Sequence, residues 1–359
     1  MPLATLCGPP RAASATLRQP WNMTASVREH LVTFAHGHPP FQMLLRPSNY
    51  DGPESWSRLI REQEYVYHIA MLRMIIAHVV RKGEECVAVD VGANSGYISL
   101  AAASLGCKVR AFEANPSTAK NARHSFALNG HLMPRLTMQN VAVGRTSGVL
   151  WFAVRRGGGS IYDRVVSDED IARGLEPGFH AVRVHAAPLH SLMGVPRPEV
   201  VHFMKLDCEG CEAQAIETMA PMLERGAVKI ILSEWITSRV LQVSGNASLA
   251  AALAVLRRGR YRSYSWEGTQ QKLSVLRDPR TEVGDLFLVH ESVSSFSKWM
   301  RNPSGGMLAA WAALQKCDEG PEQPRRDGGV TQFEDARGGV HAERGTRKTK
   351  SKRRAVGSV

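Results

Sequence analysis

Residues 86–116, CVAVDVGANSGYISLAAASLGCKVRAFEANP, constrain the fold of this chain more than any other stretch. A short apolar run, Cys86 to Val91, ends in the turn Asp90-Val91-Gly92-Ala93-Asn94-Ser95-Gly96. A small-residue helix follows, with Ile98, Ala101, Ala102 and Leu105 at helical spacing and Gly106 as its stop. Lys108 to Phe112 reads as a second strand, closed by Glu113. Strand, glycine turn, helix and strand in this order make a nucleotide-binding βαβ unit. The glycines let the backbone turn tightly and approach a ligand. The acid at the end of the second strand is placed to accept hydrogen bonds from ribose hydroxyls. Asn115-Pro116 then sets a capping residue before a helix-starting proline. That helix is expected to run to about Leu128 and to stop at Asn129-Gly130.

The glycine spacing separates the nucleotide classes. A dinucleotide site wants G-x-G-x-x-G, with the pyrophosphate on a helix N-terminus. Here the pattern is Asp90-x-Gly92-x-x-x-Gly96, and no G-x-x-x-x-G-K-[ST] occurs in the chain, which argues against a P-loop. The D-x-G-x-x-x-G turn resembles motif I of the class I methyltransferases, and Glu113 follows Gly96 by 17 residues, room for a helix and a strand.

Further blocks resemble the FkbM family of methyltransferases. Val87 to Pro116 is similar to that family's D-V-G-A-N-x-G and F-E-x-N-P blocks, and Gln139 to Gly144 to its N-x-A-x-G block. Gly157 to Ile161 resembles its Gly/Ser-rich loop, Lys205 to Glu212 its K-x-D-x-E-G-x-E block, and Ile230 to Glu234 the strand that follows. The likeness spans about residues 60–290 in the family's order. It implies a Rossmann-like class I methyltransferase fold: an α/β domain with a mostly parallel seven-stranded sheet and helices on both faces. It also implies S-adenosylmethionine as cofactor, held by Asp90, Gly92, Asn94, Gly96, Glu113, Asn115 and Asn140. In such proteins the first acid lies near the cofactor's amino-acid moiety, and Asn140 is expected near the adenine.

The chain departs from the family at positions 208 and 211, which are both Cys. A C-x-x-C alone reads as a redox motif or half a zinc site. Cys7, Cys86, Cys107 and Cys317 are scattered and supply no second pair of that spacing. Two small buried residues at a strand-to-helix turn are the expected reading, with a functional thiol pair as the alternative. Six unpatterned cysteines suit a reducing compartment, hence a cytoplasmic or organellar setting.

With 359 residues and 43% apolar content, the chain can bury a substantial core. No run of about 18 apolar residues is present, so no transmembrane helix is expected. Residues 69–80 read as a buried helix. Residues 1–28, acid-free with Arg11, Arg18 and Arg28, read as a transit peptide or a disordered tail. A helical extension over 29–85, a methyltransferase domain over 86–292, a helical segment over 293–317 and a disordered basic tail over 318–359 complete the layout. Arg344 to Arg354 holds seven basic residues and no acid, so part of the +12 net charge sits there. A solvated tail is the plain reading, and a nuclear signal, a nucleic-acid contact or a membrane-surface patch are the functional ones. His36-Gly37-His38 reads as a surface loop, and the sequons at Asn22 and Asn246 carry little weight without a secretory segment.

Strands are expected near 86–91, 108–113, 135–142, 148–154, 181–187, 200–206, 228–234, 260–266 and 284–290. Helices are expected near 58–81, 96–105, 116–128, 210–224 and 245–258. The two strands after Gly144 lack a helix between them and should form a hairpin-like insertion over the cofactor side, with 155–180 as its loop. Ligands bind at the carboxyl ends of strands in open α/β sheets. If the fourth and fifth strands of the domain are neighbours, Asp207, Glu209 and Glu234 converge there.

Transfer of a methyl group to a hydroxyl needs alignment and removal of a proton. Asp207 or Glu209 is the candidate base, and Lys205, unusual in an apolar strand, is a candidate partner or substrate contact. The lesser alternative is that Asp207 caps the helix after Gly210, with Glu209 in its first turn, and that Lys205 snorkels. A divalent metal on Asp207, Glu209 and Glu234 is the lesser possibility. Tyr97 and the 155–180 loop are candidates to shape the acceptor pocket. The acceptor class implied is a small molecule or glycan. The rivals are an RNA or protein methyltransferase, an inactive binding module and an NAD-dependent oxidoreductase. The last lacks its glycine fingerprint, and the D-C-E-G after strand four is not the N/D-P-P-Y/F block of base methylation.

Overall fold

A computed structural model describes residues 31–34, 40–45, 66–155, 163–194, 200–266, 268–278 and 282–302. The tail and transit-peptide readings, His36-Gly37-His38, Gly157 to Ser160, Cys7, Cys317 and Asn22 lie outside the described residues. In chain order the elements are β1 (Leu31–Phe34), β2 (Phe41–Leu44), α1 (Val66–Val79), β3 (Val87–Val91), α2 (Tyr97–Ser104), β4 (Lys108–Glu113), α3 (Pro116–Ala127) and β5 (Leu136–Asn140). There follow β6 (Ala142–Val143), β7 (Gly148–Arg155), β8 (Arg164–Val166), α4 (Asp168–Arg173), β9 (Phe179–Ala187), α5 (Leu189–Leu192) and β10 (Val201–Leu206). The last are α6 (Glu212–Thr218), α7 (Ala220–Leu223), β11 (Val228–Ile236), α8 (Thr237–Arg258), β12 (Tyr261–Ser265), β13 (Gln270–Gln271), β14 (Glu282–His290) and α9 (Ser294–Met300).

The main sheet has eight strands in the order β13-β12-β14-β11-β10-β3-β4-β5. It is mixed, which corrects the expectation of seven mostly parallel strands. β5, β4, β3, β10 and β11 run parallel, whereas β14 is antiparallel to both β11 and β12. A parallel neighbour needs a crossover of about a dozen residues or more, usually a helix. Between β12 and β14 the described chain offers only β13 and a 3-10 turn, Leu273–Arg277, so the strand returns antiparallel. The additional strand, β13, is two glutamines long and has no apolar pattern to betray it.

Alternation along the strands sends side chains to two faces. On one face Ala88, Phe203, Leu232 and Phe287 pack with α1, α2 and α9; on the other Val89, Met204, Ile231 and Leu288 pack with α6, α7 and α8. Every residue of α2 is buried, because its alanines let the helix approach the sheet closely. α8 is long and apolar enough, by length and composition, to cross a membrane. Here Val240, Leu249, Leu253 and Leu256 are buried in the core beneath the sheet. Pro221 divides the region expected as one helix over 210–224 into α6 and α7.

Other local differences have clear causes. β1 and β2 pair antiparallel within the stretch expected to be only helical. Their short apolar runs are held by Ser125 of α3 and by Asn129 just after it: Gln42 N–H donates to Asn129 Oδ1 at 2.8 Å and Leu44 N–H to Ser125 Oγ at 3.1 Å. Phe34 and Phe41 stack at 4.8 Å, and both lie against Tyr97, which is 1% exposed. Tyr97 is therefore a core residue and not a wall of the acceptor pocket. The insertion after Gly144 is more than a hairpin: β6, β9, β7 and β8 form a second, four-stranded sheet. The segment expected as a loop over 155–180 contains β8 and α4, whose Ser167–Asp170 capping box starts the helix.

The cysteine reading also changes. Cys86 is bridged to Cys107 and Cys208 to Cys211, with Cα–Cα separations of 4.4 and 5.5 Å. The first bridge ties the start of β3 to the entry of β4. The second spans the turn between β10 and α6. Positions 208 and 211 are thus a disulfide and not two small buried thiols. Spacing along the chain could not reveal the Cys86–Cys107 pair, because sheet registry brings its ends together.

Candidate functional site

β3 carries Asp90 and its glycine turn to the carboxyl edge of the parallel strands. The N–H groups of Gly92 and Ala93 both donate to the Phe112 carbonyl, at 2.9 and 3.0 Å, which fastens the turn to β4. Gly92 has φ +75°, and a Cβ there would collide with the Asp207 carbonyl. Gly96, at φ +84°, lies against Phe126, whose ring would be 2.6 Å from an added Cβ. Only glycine meets both demands at these positions. Asn94 takes φ +49° and donates its N–H to Glu113 Oε2 at 2.8 Å.

Glu113 Oε1 accepts from Asn115 N–H at 2.8 Å. Burial pushes the Glu113 carboxyl up to about 7, in spite of these two donors. Each of its oxygens keeps a lone pair for a ligand hydroxyl. Asp90 is 1% exposed; its Oδ2 accepts from the Ser99 hydroxyl at 2.6 Å, while its buried Oδ1 has no hydrogen-bond partner. Burial raises its pKa. An orphaned, buried carboxylate oxygen is costly, and a ligand donor would relieve it. These features fit S-adenosylmethionine: Asp90 and the Gly92 turn would take its amino-acid end and Glu113 its ribose.

The other two cofactor candidates are bonded into the framework around Glu113. Asn115 accepts at Oδ1 from Ser117 N–H (2.9 Å) and Thr118 N–H (3.3 Å), and donates from Nδ2 to Asp163 Oδ2 at 2.6 Å. Its carboxamide is engaged in the cap of α3. Asn140 donates from Nδ2 to the carbonyls of Glu113 and Ala114, at 2.8 and 2.9 Å, joining the ends of β4 and β5. Asp163, buried beside this cap and accepting from Arg155 N–H at 2.9 Å, had no signal in the sequence.

Glu113 gives the site a pH signature. If its ionised form accepts the ribose hydroxyls, binding favours the deprotonated state of a group with a pKa of about 7. Affinity for S-adenosylmethionine is then expected to rise about tenfold between about pH 6 and 8, and to level off above. Glu113→Gln should bind weakly with no such slope. Calorimetric titration across that range checks it; a flat wild-type profile would refute the assignment.

The second half of the site is a stripe of ionisable groups. Lys205 on β10 stands opposite Asp90 on β3, and Glu234 on β11 opposite Asp285 on β14. Alternation places all four on one face of the sheet, across adjacent strands. Lys205 is 9% exposed; its Nζ donates to the Gly92 carbonyl at 3.1 Å and pairs with Asp207 Oδ2 at 2.8 Å. Burial alone would pull its pKa down, but Asp207 and Asp90 outweigh that and hold it above the usual lysine range. Lys205 therefore does not snorkel to solvent.

Asp207, Glu209 and Glu234 offer oxygens within 4.8 Å of one another. Burial first, and then the charge of Asp207 and a hydrogen bond to it, raise Glu234 well above an ordinary glutamate. Glu209, at φ +60°, is ion-paired with Arg239. Lys205 and Arg239 neutralise two members of the trio. Asp207 does not cap the following helix: Cys211 is the N-cap of α6, with no side-chain cap bond. Glu212 holds the turn instead, accepting from Cys208 N–H at 2.9 Å. It is 2% exposed, and burial pushes it up to about 7. Asp285 escaped the sequence reading; its only trace is an acid two residues before the buried Phe287 of an apolar strand.

Residues 90–263 match the family described as the methyltransferase FkbM domain. No curated protein matches the chain. Among solved structures, a putative O-methyltransferase from Klebsiella pneumoniae is similar at 12% identity and TM-score 0.33, over 68% of this chain and 93% of that one. Magnesium protoporphyrin IX methyltransferase from Synechocystis PCC 6803, with bound SAH, is similar at 11% identity and TM-score 0.30, over 67% and 90%. Precorrin-6y C5,15-methyltransferase from Geobacter metallireducens GS-15 is similar at 13% and 0.28, over 61% and 87%. Likeness at this level says nothing of the acceptor. The family match, however, spans the Asp90–Gly96 turn, the strand-ending Glu113 and the Lys205–Glu212 block, and the chain carries an S-adenosylmethionine-dependent methyltransferase domain of the FkbM family.

Proposed function

We propose that the domain methylates a hydroxyl oxygen on a small molecule or glycan, with Asp207 as the base. The observation that carries this reading is the meeting of Asp207 and Glu234 at the carboxyl ends of the adjacent parallel strands β10 and β11, beside the Gly92 turn. When bound, S-adenosylmethionine supplies a methyl carbon already activated on a sulfonium. An aliphatic hydroxyl is a poor acid, so the protein's part is to align it and take its proton. Asp207 is partly open to solvent and can reach an incoming hydroxyl. Lys205 compensates its charge at 2.8 Å, and Glu234, raised and hydrogen-bonded to it, orients the carboxylate. Glu209, held by Arg239, shapes the turn. Asp207 would take the proton of the acceptor hydroxyl as that oxygen becomes the nucleophile.

The test is a panel of hydroxylated small molecules and sugars with methyl-tritiated S-adenosylmethionine, counting label on the acceptor. Asp207→Asn is expected to lower turnover about 10²- to 10⁴-fold, the usual contribution of a general base. Its affinity for S-adenosylmethionine should stay within about threefold of wild type. Wild-type turnover in Asp207→Asn would remove the base assignment. Label delivered only to RNA or to protein nitrogen would overturn the hydroxyl reading.

A further inference from the structure

The turn that carries Asp207 is tied down from several sides. Cys208 N–H donates to Glu212, the Ser244 hydroxyl donates to the Gly210 carbonyl at 2.6 Å, Glu209 pairs with Arg239, and the Cys208–Cys211 bridge closes the turn on itself. The same turn supports the cofactor turn from below. Asp207 N–H donates to the Val91 carbonyl at 3.1 Å, the Asp207 carbonyl fills the space where Gly92 lacks a Cβ, and Cys208 Cα lies 3.4 Å from that point. Any loosening between residues 207 and 211 is therefore felt at Gly92.

The two bridges differ in access. Cys86 and Cys107 are buried at the start of β3 and the entry of β4, at 6% and 0% exposure. Cys211 is also buried, but Cys208 is partly open to solvent. Thiol–disulfide exchange requires a thiolate to reach one sulfur of the bridge, so access selects the bridge that reacts.

We propose that Cys208–Cys211 is a thiol–disulfide exchange site for a dithiol reductant, and that its bridged form holds the cofactor turn ready for S-adenosylmethionine. A thiolate of the dithiol attacks Cys208 Sγ, the bridge breaks, and Cys211 leaves as a thiolate that takes a proton. The second thiol of the reductant then attacks the mixed disulfide and releases Cys208. The protein gains two electrons and two protons, and the dithiol becomes a disulfide. Reduction costs the cofactor turn part of its support, so binding must then order it.

The experiment uses the full chain, purified without reductant and titrated with dithiothreitol. Alkylation with peptide mass spectrometry reads each bridge, and calorimetry reads S-adenosylmethionine affinity. Cys208 and Cys211 are expected to alkylate while Cys86 and Cys107 remain bridged and the far-ultraviolet circular dichroism is unchanged. The dissociation constant should rise about threefold to tenfold in step, and recover on reoxidation. Cys208→Ala/Cys211→Ala should bind with the weaker affinity and ignore the dithiol. The inference is overturned if residues 208 and 211 are found as free thiols before reductant is added, if both bridges open only as the protein unfolds, or if the Cys208–Cys211 bridge opens without changing affinity. None of these readouts involves an acceptor, so they stand apart from the fate of the hydroxyl reading.

Discussion

Gly92→Ala is expected to weaken S-adenosylmethionine binding about a hundredfold or more and to destabilise the fold. Gly92 sits at φ +75°, where a side chain is strained, and its missing Cβ leaves the space that the Asp207 carbonyl fills. The strain costs about 1–2 kcal/mol. Overpacking against backbone adds about 1–3 kcal/mol. Backbone cannot swing aside as a flexible side chain can, so β3 and β10 must separate at their carboxyl ends. That moves Asp90, Lys205 and Asp207 together. A hundredfold loss is about 2.7 kcal/mol on the affinity scale. Gly130→Ala is the control: it has nothing within 4 Å of an added Cβ and should bind as wild type. Equal calorimetric affinities for Gly92→Ala and Gly130→Ala would show that the turn does not hold the cofactor.

Lys205→Met should be the most damaging change among the charged residues of the site. Lys205 lies between Asp90 and Asp207 and bonds the Gly92 carbonyl. Methionine preserves the volume but leaves Asp90 buried with one oxygen already orphaned. Breaking a buried ion pair by removal of one partner costs about 3–5 kcal/mol. The loss should depend on pH with a definite sign. Without the ammonium, the folded-state pKa values of Asp90 and Glu234, already raised, rise further. An acid with a raised folded pKa retains its stability below its unfolded pKa and loses it as pH rises through the folded value. Urea unfolding should therefore find Lys205→Met close to wild type near pH 4–5 and well below it near pH 8. A variant as stable as wild type at both values would show that the stripe is not held by this charge.

Much of the cofactor half was legible in the chain, because its determinants are local. Asp90 to Gly96, the alanine-rich α2, Glu113 and the Asn115-Pro116 cap lie within one continuous run, and period and turn chemistry report each of them. Where the reading failed, the cause was non-local. Tyr97 follows the cofactor turn and looked available, yet Phe34 and Phe41, more than fifty residues earlier, enclose it. Asp285 matters only because β14 is the antiparallel neighbour of β11, which sets it opposite Glu234. The sequence also did not report that the Asn115 carboxamide and the Asn140 Nδ2 are bonded into the framework around Glu113. Asp163 reaches that framework from the residue before β8 and left no local pattern to read.

The sequence by itself determined the βαβ unit, the class of cofactor and the acids at the strand ends, since each follows from backbone freedom, side-chain period and spacing within a few turns of chain. Tertiary structure decided the direction of β14, the pairing of Cys86 with Cys107, and which cation stands beside each carboxylate. Those outcomes depend on distances between residues far apart in the chain, set by sheet registry and packing. Asp207 and Glu209 look alike in the sequence; only the folded chain places Lys205 beside one and Arg239 beside the other.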